Sequence, residues 1–150
     1  MLARLDATDA GSAKSPFLLA LAGVPGAGKT QSAAYLKQLL EAELAESVIV
    51  LPMDGFHLYR SELDEFAEPE RAHYFRGATW TFDPRLLHQK LQEIRAGKPQ
   101  GFPAFLHSVG DPQADAFHFD PAKHRVVILE GIYAMLNSYD HQEKLPITSE

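Results

Sequence analysis

Apolar residues fall along this chain in two distinct patterns. Three short unbroken runs stand out: Phe17-Leu-Leu-Ala-Leu-Ala leading into Gly23, Val48-Ile-Val-Leu51, and Val126-Val-Ile-Leu129. Such runs suit buried parallel strands, whose two faces are both covered by helices. Between them the spacing becomes helical. In 31–46, Leu36, Leu39, Leu40 and Leu44 form one face, and Lys37, Glu41 and Glu43 lie on the other. Leu87, Leu91 and Ile94 form a second stripe, opened by the N-cap pair Asp83-Pro84 and stopped at Gly97. Ser61-Glu-Leu-Asp64 reads as the capping start of a short helix, and another is expected from Pro69 to about Phe75, ending at Gly77. Trp80 and Phe82, alternating with Thr79 and Thr81, read as core. Between residues 100 and 120, Phe102–Leu106 and Ala116–Phe119 are strand-like and are joined across the turn residues Val109-Gly-Asp-Pro112, which predicts a protruding β-hairpin. The sum is an α/β fold, three layers around a parallel sheet, with a hairpin insertion.

The first run leads into Gly23-Val-Pro-Gly-Ala-Gly-Lys-Thr30. Gly23, Gly28, Lys29 and Thr30 complete the phosphate-loop pattern, strand before and helix after. Glycines let the backbone curl so that successive N–H groups of the loop converge on an anion. Lys29 offers a point charge for the outer phosphates, the Thr30 hydroxyl an oxygen for Mg²⁺, and the following helix its positive end. The whole of Gly23, Val24, Pro25, Gly26, Ala27, Gly28, Lys29 and Thr30 is therefore the expected nucleotide-phosphate site.

Composition narrows the partners. A length of 150 residues suits one domain, expected over 17–136 between a flexible lead-in (1–16) and a polar tail (137–150). The net charge of −6, with both signs interspersed, gives no footprint for nucleic acid. There is no cysteine, which excludes thiolate metal sites and fits a reducing compartment. No apolar run reaches membrane-span length and the first sixteen residues lack a signal core, so a cytoplasmic location with no membrane partner is expected.

Two carboxylates end buried strands. Asp54 follows Val48–Leu51 and Pro52, and Glu130 closes Val126–Leu129, so both belong to the sheet edge where ligands of open α/β sheets bind. Phosphoryl transfer to a hydroxyl needs phosphate donors, metal-binding oxygens and a base. Asp54 is the candidate base, with Lys29 the other candidate catalytic residue; the Thr30 hydroxyl is a candidate Mg²⁺ oxygen, and Glu130 a candidate group at the metal, holding it directly or through a neighbour. His57, Tyr59, Arg60 and His107 are candidates for lining an acceptor pocket. His73, His88, His118, His124 and His141 show no ligand spacing and read as structural or exposed.

Taken together, the phosphate loop, Met53-Asp-Gly-Phe-His-Leu58, Arg76-Gly-Ala-Thr-Trp-Thr-Phe-Asp83, Pro103-Ala-Phe-Leu-His-Ser-Val-Gly-Asp-Pro112 and Leu129-Glu-Gly-Ile-Tyr133 resemble the uridine kinase/phosphoribulokinase/pantothenate kinase group of P-loop small-molecule kinases, its uridine-kinase-like branch in particular. The resemblance implies ATP and Mg²⁺ as cofactors, a nucleoside, sugar or related small metabolite as acceptor, Asp54 as base, and Thr30, Asp54 and Glu130 at the metal. It places His57 at a substrate contact and His107 in a hairpin that closes over the acceptor. Leu106 departs from it, standing where that branch has an Asp in a Pro-x-Phe-Asp motif. The group's strand order is 2-3-1-4-5, and two further strands, an Arg-bearing lid and an adenine-contacting loop follow the third strand. The expectation is thus a C-terminally truncated kinase, with strand 17–23 bare on one edge and open to self-association there. A catalytically inactive nucleotide-binding or interaction module derived from such a kinase is the rival reading. A GTPase or ATPase switch is a further one, disfavoured by the lack of Asn-Lys-x-Asp and of Asp-x-x-Gly after the third strand.

Overall fold

The computed structural model describes residues 15–44 and 47–134. The lead-in to Lys14, the tail 137–150, His141 and the side chain of Leu44 lie outside the described residues. The three apolar runs form β1 (Phe17–Ala22), β2 (Ser47–Pro52) and β5 (His124–Gly131), and β3 (Gln100–Leu106) and β4 (Asp111–Phe119) form the hairpin. The helices are α1 (Lys29–Leu44), α2 (Arg60–Leu63), α3 (Pro69–Tyr74) and α4 (Pro84–Arg95), with 3₁₀ turns at Met53–Phe56 and Thr79–Thr81.

β5 is the central strand of a parallel sheet ordered β1-β5-β2. Leu19 and Val50 both sit abreast of Ile128, and the period-2 alternation sorts every run onto two faces. Phe17, Leu19, Leu21, Val48, Val50, Val126 and Ile128 face Ala33, Leu36 and Leu40 of α1. Leu18, Ile49, Leu51, Val127 and Leu129 face Leu87, Leu91 and Ile94 of α4, together with Phe102, Phe117 and Phe119 of the hairpin. Residues 126–131 are buried throughout, as a strand with neighbours on both sides and both faces requires. β1 is different. Among the described residues it pairs on one side only, and Ala20 and Ala22 are exposed.

Several boundaries differ from the sequence expectation. α1 starts at Lys29 rather than Gln31, because the Gly28 carbonyl already accepts the Ser32 N–H at 2.9 Å. Leu39 is 44% exposed instead of buried, since it lies about 100° round the helix from Leu40. α2 is capped at Tyr59, whose N–H is accepted by Glu62 Oε2 at 2.6 Å, so Ser61 lies inside the helix. The hairpin turn is His107–Gly110, not Val109–Pro112, and β4 begins five residues before the expected Ala116. Pro112 stands opposite Phe105 in the ladder, an acceptable place in a two-stranded ribbon where one edge needs no N–H. Residues 79–81 form a turn, with Thr81 and Phe82 buried and Trp80 half-buried against Phe66.

The expected end signals of α4 are in place. Asp83 Oδ1 accepts the Leu86 N–H at 2.9 Å. Gly97, at φ 67, closes a Schellman motif, with Gly97 N–H to Ile94 O at 2.9 Å and Lys98 N–H to Glu93 O at 3.0 Å.

Candidate active site

The sheet register brings the phosphate loop and both carboxylates to one edge. Leu21, Glu130 and Pro52 are abreast across the three strands. Gly23 therefore begins its loop beside the end of β5, and Asp54 follows two residues beyond Pro52. The loop turns at Gly26 and Gly28, both at φ 77, a conformation that L side chains rarely adopt. That turn starts α1 at Lys29, so the first N–H groups of the helix, which have no intrahelical partner, belong to the loop's own signature residues. Lys29 Nζ donates to the Val24 carbonyl at 3.0 Å, folding its ammonium over the loop.

Thr30 Oγ1 donates to Glu130 Oε1 at 3.2 Å. Glu130 is 9% exposed, and its partner is a neutral hydroxyl rather than a cation. Among the described residues no group of three or more His, Cys, Asp or Glu side chains is assembled around a common point. A hydroxyl and a carboxylate at one edge, with Asp54 two residues past the Pro52 that stands abreast of Glu130, are hard oxygen donors of the kind that hold Mg²⁺ jointly with nucleotide phosphates. The donor chemistry therefore fits that ion.

Asp54 is held from two sides. Its 3₁₀ turn is tied to 81–83 by Leu58 N–H to Thr81 O and Asp83 N–H to Phe56 O, both 2.8 Å. On the other side Gly55 is buried hard against the hairpin, where a Cβ would run into the Pro103 carbonyl and the Ala104 nitrogen. The Asp54 backbone carbonyl accepts from the His57 N–H at 3.3 Å and lies 2.8 Å from His57 Nδ1. A carbonyl can only accept, so the Nδ1 of His57 carries a proton and the neutral ring leaves Nε2 as an acceptor. The ring packs between Phe82 (centroids 3.9 Å) and Phe105 (4.8 Å). Burial lowers its pKa below the usual imidazole value, aided by Arg76 and His107 and opposed by the Asp54 carbonyl and carboxylate.

The other candidate acceptor residues gather at the hairpin tip. His107 is exposed in the turn, its ring 5.2 Å from Phe105. Tyr59 is 41% exposed, and Arg60, also exposed, reaches over Gly110 and gives its backbone N–H to Asp111 Oδ1 at 2.9 Å. The Phe105 ring thus neighbours both His57 and His107, and Arg60 lies beside Gly110 of the same hairpin tip. His73 Nε2 meets Asp64 Oδ1 at 2.7 Å, and His124 Nδ1 accepts the Asp120 N–H at 3.0 Å.

Sequence reasoning did not single out Arg76, Asp111 or Phe105. The Arg76 guanidinium donates through Nη1 to the Gly110 carbonyl, and through Nη2 to Leu58 O at 2.7 Å and Asp111 Oδ1 at 2.9 Å. It also lies 5.3 Å from the Phe105 ring centre. Partial burial alone would raise the Asp111 pKa, but the Arg60 N–H and the Arg76 guanidinium outweigh it and hold the carboxyl below its usual value. Arg76 opens one of the motifs quoted above, and that was the available signal for it. Tyr133 joins the same wall, its hydroxyl donating to Gly77 O at 3.0 Å and its ring edge-on to Phe82.

Residues 18–143 match the phosphoribulokinase/uridine kinase family. A Schizosaccharomyces pombe protein named "Putative uridine kinase C227.14" is 37% identical over 142 residues, covering 87% of this chain and 60% of that protein. The uridine kinase of Yersinia enterocolitica is 29% identical, over 84% of this chain and 57% of that enzyme. Among solved structures, a Silicibacter protein described as a "putative fructose transport system kinase" superposes with a TM-score of 0.75 at 32% identity, covering 88% of this chain and 59% of its own. The chain thus spans about three-fifths of the length of these relatives.

Proposed function

The chain belongs to the phosphoribulokinase/uridine kinase family, and we propose that it supplies the phosphate-binding and base-bearing part of an ATP-dependent kinase for a hydroxyl of a small metabolite. The observation that carries this reading is the register of Leu21, Glu130 and Pro52, which gathers the Gly23–Thr30 loop, Glu130 and Asp54 at one sheet edge. In it the loop N–H groups and Lys29 bind and orient the nucleotide phosphates. Asp54 accepts the proton of the acceptor hydroxyl. The acceptor oxygen forms its bond to the γ-phosphorus as the bond from that phosphorus to the β-phosphate oxygen breaks, and ADP leaves. Thr30, Glu130 and Asp54 would hold Mg²⁺, which supplies neutralisation of the phosphate charge when bound with the nucleotide.

His57, Tyr59, Arg60 and His107 form the acceptor side of this reading. His57 Nε2 is an acceptor atom, which suits a substrate presenting O–H or N–H donors, as nucleosides and sugars both do. The names of the relatives point to the same two classes, uridine and a hexose. The test is transfer of labelled γ-phosphate from ATP to a panel of nucleosides, pentoses and hexoses. Phosphorylation of one member supports the kinase reading. Binding of ATP with transfer to none would leave a nucleotide-binding module instead.

A further inference from the structure

The hairpin is attached to the Asp54 turn at two levels, and one side chain makes the upper attachment. At the base, Pro103 is wedged on Gly55. At the tip, the Arg76 guanidinium reaches two segments that are remote in sequence, Leu58 on one side and Gly110 and Asp111 on the other. Asp111 Oδ1 completes the link by also accepting the Arg60 N–H. We propose that Arg76, acting through Asp111, is a positioning residue: it fixes the tip of the β3–β4 hairpin to Leu58–Arg60 so that Phe105 closes on the His57 ring and the acceptor wall is built before any substrate arrives.

The chemistry of the side chain supports this role. Three oxygens from two segments share one planar group, whose fork of fixed N–H vectors reaches all of them at once. Its Nε is buried with no partner among the described residues, so the hydrogen bonding falls on Nη1 and Nη2. The side chain is 14% exposed and Asp111 25%, which shields the pair from the screening that weakens surface ion pairs. What the wall does for an acceptor rests on the kinase reading above, whereas the attachment itself does not.

Amide hydrogen exchange on the full chain tests the attachment, comparing the parent with Arg76→Ala, Arg76→Met, Arg76→Lys and the milder Asp111→Asn. Exchange at Arg60 and across 105–111 is expected to speed up by about tenfold or more in each Arg76 variant, and less in Asp111→Asn, whose amide oxygen still accepts, with the central strand β5 unchanged. Arg76→Met retains an apolar stem over Phe105 but no fork. If it or Arg76→Lys protects Arg60 as the parent does, packing or charge alone suffices and the proposal is overturned. Unchanged exchange at Arg60 in Arg76→Ala overturns it equally, as does loosening of the whole sheet. Millimolar methylguanidinium should restore protection to Arg76→Ala and leave Arg76→Met loose.

Kinetics supply the second readout. With the best acceptor of the panel, Arg76→Ala and Asp111→Asn should raise the acceptor KM by about fivefold or more while the ATP KM stays within about twofold. An unchanged acceptor KM with a loosened tip would remove the acceptor role. A parent chain that phosphorylates nothing would overturn that role together with the kinase reading, and the exchange pattern would still decide the attachment.

Discussion

Thr30 and Glu130, one hundred residues apart, are joined by a 3.2 Å hydrogen bond from the first turn of α1 to the end of the central strand. The bond ties the phosphate loop to the sheet at the point where the register also delivers Pro52 and, two residues on, Asp54. Glu130→Gln leaves an oxygen able to accept from Thr30 but removes the charge. Its affinity for ATP measured with Mg²⁺ should fall by about tenfold, the scale seen when groups around a metal are changed, with little change in Mg²⁺-free binding. Titration calorimetry in the two conditions checks this, and equal losses in both would point to a damaged loop instead.

In the proposed kinase, Lys29 acts through its charge. Lys29→Ala should weaken ATP binding by about 1.5–3 kcal/mol, the worth of a charge-assisted hydrogen bond. The circular dichroism spectrum should stay unchanged, because the ammonium bonds only an exposed loop carbonyl among the described residues.

The sheet was largely legible beforehand, and the attachment of the hairpin tip beside His57 was not. Unbroken runs such as Val126–Leu129 can be satisfied only by strands covered on both faces, so strand identity and the strand-end places of Asp54 and Glu130 followed from pattern. The hairpin register did not follow. Asp111-Pro112 carries turn chemistry, yet a two-stranded ribbon leaves an edge that tolerates the proline, and Asp111 turned out to be an anchor inside β4. Arg76 was hidden for a different reason. Its partners lie 18, 34 and 35 residues away, and only the fold brings them within hydrogen-bonding range.

Stability should follow the position of each strand in the sheet. Ile128 is fully buried between Leu19 and Val50, so Ile128→Ala should cost about 2–5 kcal/mol. Leu19→Ala, on the half-exposed strand β1, should cost less. Denaturant unfolding of the two variants gives the comparison, and equal losses would mean that β1 is as enclosed as β5.

Acid should destabilise the fold from near-neutral pH. His57 and His124 both have pKa values lowered chiefly by burial, so the unfolded chain binds more protons than the native one just below the ordinary imidazole value of about 6.5. Their contribution is complete above that pH and is lost as the pH falls through the lowered native values. Protonating His124 Nδ1 also breaks its bond from the Asp120 N–H. Tm should therefore drop as pH is lowered from 7 toward 5, and less steeply in His124→Gln. A flat profile over that range would contradict the assignment.

In the proposed reaction Asp54, held between the 81–83 segment and the hairpin, takes the proton of the acceptor hydroxyl. Asp54→Asn keeps size and removes the base. With the acceptor that the parent chain phosphorylates best, kcat should fall by about 10²–10⁴ while ATP still binds. A variant that retains the parent's kcat would contradict the account.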